Sequence, residues 1–230
     1  MSDENQSKCR AVCLISGGGT NLQAIIDNIK DKSLKIDLIS VISDNPAAKG
    51  LQRAEKEGID TTIFDFSSFD DRKQFDQCLE KEMVELDPDL IILAGYMKIL
   101  NSSFCNSFAG KILNIHPSLL PKYKGLNTHQ RVIDNQERLH GASVHFVTSE
   151  LDDGPVIIQY QCNIENNDDR HTLQKKVQQG EYIIYTKAIQ WFSEKRLSIE
   201  SGRIYIDGAS LNEPKPVSYT HLTLPTNREV

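Results

Sequence analysis

Ala11-Val12-Cys13-Leu14-Ile15-Ser16-Gly17-Gly18-Gly19-Thr20-Asn21-Leu22-Gln23-Ala24-Ile25-Ile26 reads as a strand, a glycine turn and a helix. The apolar run Ala11 to Ile15 suits a short buried strand. Leu22, Ile25 and Ile26 then fall at helical spacing. In such a unit the backbone N–H groups of the turn, with the helix N-terminus behind them, can hold an anion. Glycine permits the positive φ and the close ligand approach this needs. Either Thr20 or Asn21 is expected to cap the helix. Leu22 stands where a dinucleotide fingerprint needs its last glycine, and no Gly-Lys-Ser/Thr ending makes this a P-loop. A bare βα connection that binds nothing accounts for the turn equally well.

Outward from this unit, strands and helices alternate. Leu34 to Ile42 alternates as a second strand, and Ala47 to Glu57 reads as a helix closed by Gly58. Thr61 to Phe64 makes a third strand. An amphipathic helix follows from an N-cap at Ser68 to Leu86, with Arg72 in its first turns, where a cation opposes the helix dipole. Leu90 to Gly95 is the fully apolar run of a buried parallel strand. This order predicts βαβ units on a mostly parallel sheet. Met97 and Ile99, just past the apolar strand, suit either loop packing or the wall of a pocket for an apolar ring.

Ile112 to Ile115 is another short buried strand, ended by Pro117, which cannot donate to a ladder. Side chains alternate along a strand, so Asn114 and His116 share one face, at the carboxyl end where open α/β sheets bind ligands. An amide can donate to a developing oxyanion, and an imidazole can move a proton near neutral pH. Taken alone, Asn-x-His equally fits a hydrogen-bonded core histidine. Beyond it come a polar loop, a helix from Gln130 to Asn135 and two strands, Gly141 to Thr148 and Pro155 to Cys162. The acidic turn Ser149-Glu150-Leu151-Asp152-Asp153-Gly154 joins those strands as an antiparallel hairpin. Asp168 to Lys195 is helical despite Gly180, with Gln178 and Glu181 on one face, and Ser198 to Ile206 forms a last hairpin.

Bulk properties exclude several classes. At 230 residues, 39% hydrophobic and 25% charged, the chain has the composition of an ordinary globular protein with one sizeable core. A net charge of −6 argues against nucleic-acid binding. No apolar run approaches the roughly 18 residues of a membrane span. The polar segment 1–8 lacks a signal-peptide core, so the expected location is cytoplasmic. Five scattered cysteines, with no C-x-x-C pair, fit free thiols. Residues 9–208 are expected to form a single domain. From Val217 to Val230 the periodicity is lost and the sequence resembles translated library-adapter DNA. That tail, with His221, is read as non-native and left out of site arguments.

Four motifs together resemble the phosphoribosylglycinamide formyltransferase family of folate-dependent enzymes. They are Ile15 to Ile25, Leu93-Ala-Gly-Tyr-Met97, Asn114-Ile-His-Pro-Ser-Leu-Leu-Pro121 and His145-Phe-Val-Thr-Ser-Glu-Leu-Asp152, in order and at the family's spacing. The resemblance runs from about Arg10 to Gly208. It implies a Rossmann-like formyltransferase fold with a mostly parallel, seven-stranded sheet flanked by helices. It implies transfer of formyl from 10-formyltetrahydrofolate, as cosubstrate and without a metal, to the amine of N1-(5-phospho-D-ribosyl)glycinamide in purine biosynthesis. Gly19, Thr20 and Asn21 would take the ribonucleotide's phosphate, with Gln178 and Glu181 on the rest of that substrate. Arg72, Met97, Lys98, Ile99, Leu100, Asn114, Thr148, Ser149, Glu150, Leu151 and Asp152 would line the folate site. Asn114, His116 and Asp152 would be catalytic. Lys98 stands where some members have arginine, and Asp153 where many have glycine. Adjacent residues of an extended turn point apart, so only one of Asp152 and Asp153 should face His116, and the motif favours Asp152.

The partners implied are small molecules, with no nucleic acid or membrane, in a monomer or weak homodimer. A formyltetrahydrofolate hydrolase, with water as acceptor, is the close alternative. A methionyl-tRNA formyltransferase would add a basic domain for which this acidic chain has no room. A non-catalytic folate or nucleotide sensor would bind without turnover. A metal site at His116, His145 and Asp152 is disfavoured, since mid-strand His145 is more simply a core histidine.

Overall fold

The structure, a computed structural model, describes residues 8–218. The first half is β1 (Cys9–Ile15), α1 (Thr20–Lys30), β2 (Ile36–Ser43), α2 (Lys49–Lys56), β3 (Thr61–Ile63), α3 (Arg72–Leu86) and β4 (Leu90–Leu93). Then come α4 (Ser102–Ser107), β5 (Ile112–His116), α5 (Thr128–Asp134), β6 (Leu139–Phe146), β7 (Val156–Asn163) and α6 (Arg170–Ser193). The chain closes with β8 (Leu197–Glu200), β9 (Arg203–Ile206), β10 (Ala209–Ser210) and β11 (Lys215–Ser218).

The central sheet has the order β11-β7-β6-β5-β4-β1-β2-β3. Only β6 runs against its neighbours; the other pairings are parallel. The sheet therefore has eight strands rather than the expected seven. The extra strand, β11, pairs along the edge with β7, a backbone contact that needs no apolar alternation and leaves none to read. Two of its residues, Val217 and Ser218, belong to the tail read as non-native. Residues 219–230, His221 among them, lie outside the described residues, as do residues 1–7.

Both faces of the sheet are covered, which is why its strands read as unbroken apolar runs. Leu22, Ile25 and Ile26 of α1 and Leu173, Val177, Ile184 and Ile189 of α6 pack on one face. Phe75, Leu79 and Met83 of α3, with Phe104 of α4, pack on the other. Strand order reverses between β1 and β4, and a crevice opens at their carboxyl ends, as expected of a doubly wound sheet. Two bonds tie the loops there: Ser16 N–H donates to Gly95 O at 3.2 Å, and Met97 N–H to Ser16 Oγ at 2.8 Å.

Two helix starts differ from expectation. Gly19 itself, at φ 68°, is the N-cap of α1, and neither Thr20 nor Asn21 caps it. The left-handed backbone closes the turn, so Thr20 and Asn21 begin the helix with their side chains free for other partners. Helix α3 is capped by Asp71, whose side chain accepts from Gln74 N–H. Ser68 ends a separate 3-10 turn, Phe66–Ser68, capped by Asp65. Arg72 is thus the first residue of α3, and its guanidinium pairs with Asp76 at 2.7 Å instead of opposing the dipole unaided.

Candidate active site

A cavity of about 710 Å³ fills the crevice, lined among others by Asn21, Tyr96, Met97, Asn114, His116, His145, Asp152 and Glu181. Its catalytic candidates come from two places. Asn114 and His116 project from one face of β5, as their spacing requires, with Ile112 beneath them and Leu113 and Ile115 in the opposite core. Asp152 sits in the turn between β6 and β7 at φ 49°. Its Oδ2 accepts from Gly125 N–H at 2.9 Å and lies 3.4 Å from His116 Nδ1, while its side chain is 9% exposed. Asp153 points outward and pairs with Lys124. The doubled carboxylate is thereby resolved: Asp152 faces the imidazole and Asp153 faces solvent.

Carbonyl acceptors place a hydrogen on one nitrogen of each histidine ring. His116 Nε2 is 2.9 Å from Tyr123 O and donates to it. His145 Nδ1–H donates to Phe146 O at 2.9 Å, which leaves Nε2 bare to accept from Asn114 Nδ2–H at 3.0 Å. Burial pushes the pKa of His145 down, favouring this neutral form. His145 is buried, as a core histidine would be, yet it lines the cavity and takes one Asn114 hydrogen. The second Nδ2–H is left for the cavity. Alternation alone could not show this, because the contact depends on β5–β6 register: Asn114 lies opposite His145.

Two of the expected substrate-binding pairs also meet across the α1–α6 contact. Gln178 Nε2–H donates to Thr20 Oγ1 at 2.8 Å, and Asn21 Nδ2–H donates to Glu181 Oε2 at 2.8 Å. Glu181 is 9% exposed, and burial raises its pKa against the lowering effect of the Asn21 bond. Asn21 Oδ1 is buried and has no hydrogen-bond partner among the described residues. Gly19, Thr20 and Gln178 stand just behind the cavity wall rather than in it.

On the opposite side, Met97, Lys98, Ile99, Leu100, Thr148, Ser149, Glu150 and Leu151 all line the cavity. Arg72 does not; its guanidinium bonds to Ile99 O and lies 5.9 Å from the Phe66 and Phe75 ring centres, bracing the loop from behind. Lys98 is held over the Phe66 ring at 4.1 Å and lies 3.8 Å from Asp44. Sequence reasoning passed over Leu126, 72% exposed at the mouth, and the pair His129–His140, whose rings share a 2.9 Å hydrogen bond. Burial depresses that pair to about 4 for His129 and about 3 for His140. Among the described residues, no group of three or more His, Cys, Asp or Glu is arranged to hold a metal ion. No helix there is long and apolar enough to cross a membrane.

An amide, an imidazole and a carboxylate, set over one cavity beside a glycine turn, are groups that can stabilise a tetrahedral oxyanion. Comparison with known proteins gives the family. The family described as formyl transferase matches residues 9–189. Phosphoribosylglycinamide formyltransferase of Escherichia coli is 44% identical over 200 residues, covering 87% of this chain and 94% of that one. The bovine trifunctional purine biosynthetic protein adenosine-3 is 38% identical over 198 residues, which are 86% of this chain and 20% of that protein. A solved phosphoribosylglycinamide formyltransferase from Coxiella burnetii superposes with a TM-score of 0.87 at 43% identity, covering 91% of this chain and 99% of that one. The chain belongs to the formyl transferase family and, within it, to the phosphoribosylglycinamide formyltransferases.

Proposed function

We propose that this chain transfers the formyl group of 10-formyltetrahydrofolate to the primary amine of N1-(5-phospho-D-ribosyl)glycinamide, a step of purine biosynthesis. The carrying observation is that Asn114, His116 and Asp152 converge on a cavity whose walls also include Asn21 and Glu181 on one side and Met97 to Leu100 on the other. Folate would lie against Met97, Ile99, Leu100 and Leu151, with Lys98, Thr148, Ser149 and Glu150 at its polar edges and Arg72 bracing the loop. The ribonucleotide would place its phosphate on Gly19, Thr20 and Asn21. Gln178 holds Thr20 in place, and Glu181 accepts from the ribose hydroxyls.

In the reaction the amine nitrogen attacks the formyl carbon, and the carbonyl pair moves onto oxygen. The free Nδ2–H of Asn114 meets that oxygen, an interaction whose loss costs about 3–4 kcal/mol of barrier. The Nε2–H of His116, donated at rest to Tyr123 O, is exchanged onto the developing oxyanion or N10, while Asp152 keeps Nδ1 in place. The attacking amine loses a proton, N10 gains one, and the carbon–N10 bond breaks to release tetrahydrofolate and the formamide. No covalent intermediate with the protein is required.

The test is stoichiometry. Mixed with 10-formyltetrahydrofolate and the ribonucleotide, the protein should yield one formylated ribonucleotide per cosubstrate consumed and almost no formate. Rapid formate release that ignores the ribonucleotide would identify a hydrolase, and binding without consumption a sensor.

A further inference from the structure

The glycine turn is held from behind by a helix that contributes nothing to the cavity itself. Gly50 N–H of α2 donates to Gly17 O at 3.0 Å. One turn later, Arg53 Nε–H donates to Gly18 O at 2.9 Å, and its Nη1–H donates to Gln23 Oε1 of α1 at 3.0 Å. The fit is close. A Cβ on Gly19 would stand 2.6 Å from the Gly50 Cα, and one on Gly50 would stand 2.4 Å from Ile15 Cδ1. On the other side the turn is open: a Cβ on Gly17 or Gly18 would meet nothing within 4 Å.

A trans peptide points its carbonyl and the next residue's N–H in opposite directions. With Gly17 O taken by Gly50, the Gly18 N–H turns away from α2. With Gly18 O taken by Arg53, the Gly19 N–H turns away as well. Neither N–H has an acceptor among the described residues. The two peptide planes that could present N–H groups to an anion are therefore aimed by α2.

We infer that Arg53 is a positioning residue for the ribonucleotide's phosphate: by holding Gly18 O and Gln23 it keeps the Gly18–Gly19 peptide turned so that its N–H faces the anion. This rests on the reading that the turn takes the phosphate. Arg53 acts through Gly18 and touches neither substrate. Its influence should be confined to one substrate and to binding. Lysine can donate one of the two bonds; methionine can donate neither while keeping a helix-forming stem.

The experiment compares the full chain with Arg53→Met, Arg53→Lys and Gln23→Ala, varying each substrate in turn. Losing both guanidinium bonds, to Gly18 O and to Gln23, is expected to raise KM for the ribonucleotide roughly tenfold in Arg53→Met. KM for the folate and kcat should stay within a factor of about two. Arg53→Lys should recover most of the loss, and Gln23→Ala should raise the same KM about threefold. The dephosphorylated glycinamide ribonucleoside supplies the control: wild type should strongly prefer the phosphorylated acceptor, and Arg53→Met should narrow that preference. An unchanged ribonucleotide KM in a folded Arg53→Met, or an equal rise in both KM values, overturns the inference. Should wild type itself treat nucleotide and nucleoside alike, the phosphate reading falls and takes this inference with it.

Discussion

The two ends of the cavity are built in opposite ways. At the glycine-turn end, backbone meets backbone at Gly19 and Gly50, and side chains pair with each other at Thr20–Gln178 and Asn21–Glu181. At the other end the walls are large apolar side chains left open: Met97 is 61%, Ile99 55%, Leu126 72% and Leu151 49% exposed. A charged, compact ligand is served by dipoles set in advance, since reorganising them at binding would cost what the contact returns. A flat apolar ring needs only area to cover, so that end can wait for its ligand. Between the two, on the rigid β5 strand, sit Asn114 and His116.

The largest expected effect lies between the ends. Asp152→Ala removes the partner of His116 Nδ1 and of Gly125 N–H, and kcat should fall roughly 10²–10⁴-fold with both KM values little changed. A fall in affinity instead would make Asp152 part of the folate wall only. The next effect probes the preset end. A Cβ at Gly180, midway along α6, would stand 2.0 Å from the Tyr160 ring, so Gly180→Ala should destabilise the fold by about 1–3 kcal/mol. Calorimetry should then show a melting midpoint lower by several degrees, with the ribonucleotide KM raised because Gln178 and Glu181 ride on that helix.

The open end should respond more mildly. Met97→Ala and Leu151→Ala should each raise the folate KM roughly three- to tenfold through lost contact area, leaving the ribonucleotide KM and the melting midpoint almost unmoved. Coupled changes in both KM values would show that the ends are not independent. The smallest effect is on acid stability. His129 and His140 have folded pKa values of about 4 and about 3, below the ordinary histidine value. Above pH 6.5 or so, neither folded nor unfolded chain protonates them, and they leave stability unchanged. Below it the unfolded chain binds protons that the fold refuses, so stability falls steadily toward pH 4 and, for His140, pH 3. His140→Gln should flatten that slope in a pH series of thermal melts.

The sequence carried the architecture wherever burial left a pattern. Leu90 to Leu93 and Ile112 to Ile115 read as covered parallel strands because both faces are packed, and the Asn114–His116 spacing needed only the alternation of a strand. It was silent where the determinant is a backbone bond or a register. Edge strand β11 is registered on β7 by parallel main-chain pairing, α1 is capped by a left-handed glycine, and the tie from His145 to Asn114 exists because β6 runs opposite β5 at that residue. Gly180 looked like a flaw in a helix until the Tyr160 ring beside it supplied the reason. Spacing alone left Asp152 and Asp153 unseparated and only the motif favoured Asp152; in the structure its carboxylate lies 3.4 Å from His116 Nδ1 while Asp153 pairs with Lys124.

The most direct test is the turnover of Asn114→Ala with both substrates saturating. Its one uncommitted N–H is the donor assigned to the oxyanion, so kcat should drop about 10²–10³-fold while both substrates still bind. A variant that formylates the ribonucleotide within a few-fold of the wild-type rate would contradict the account.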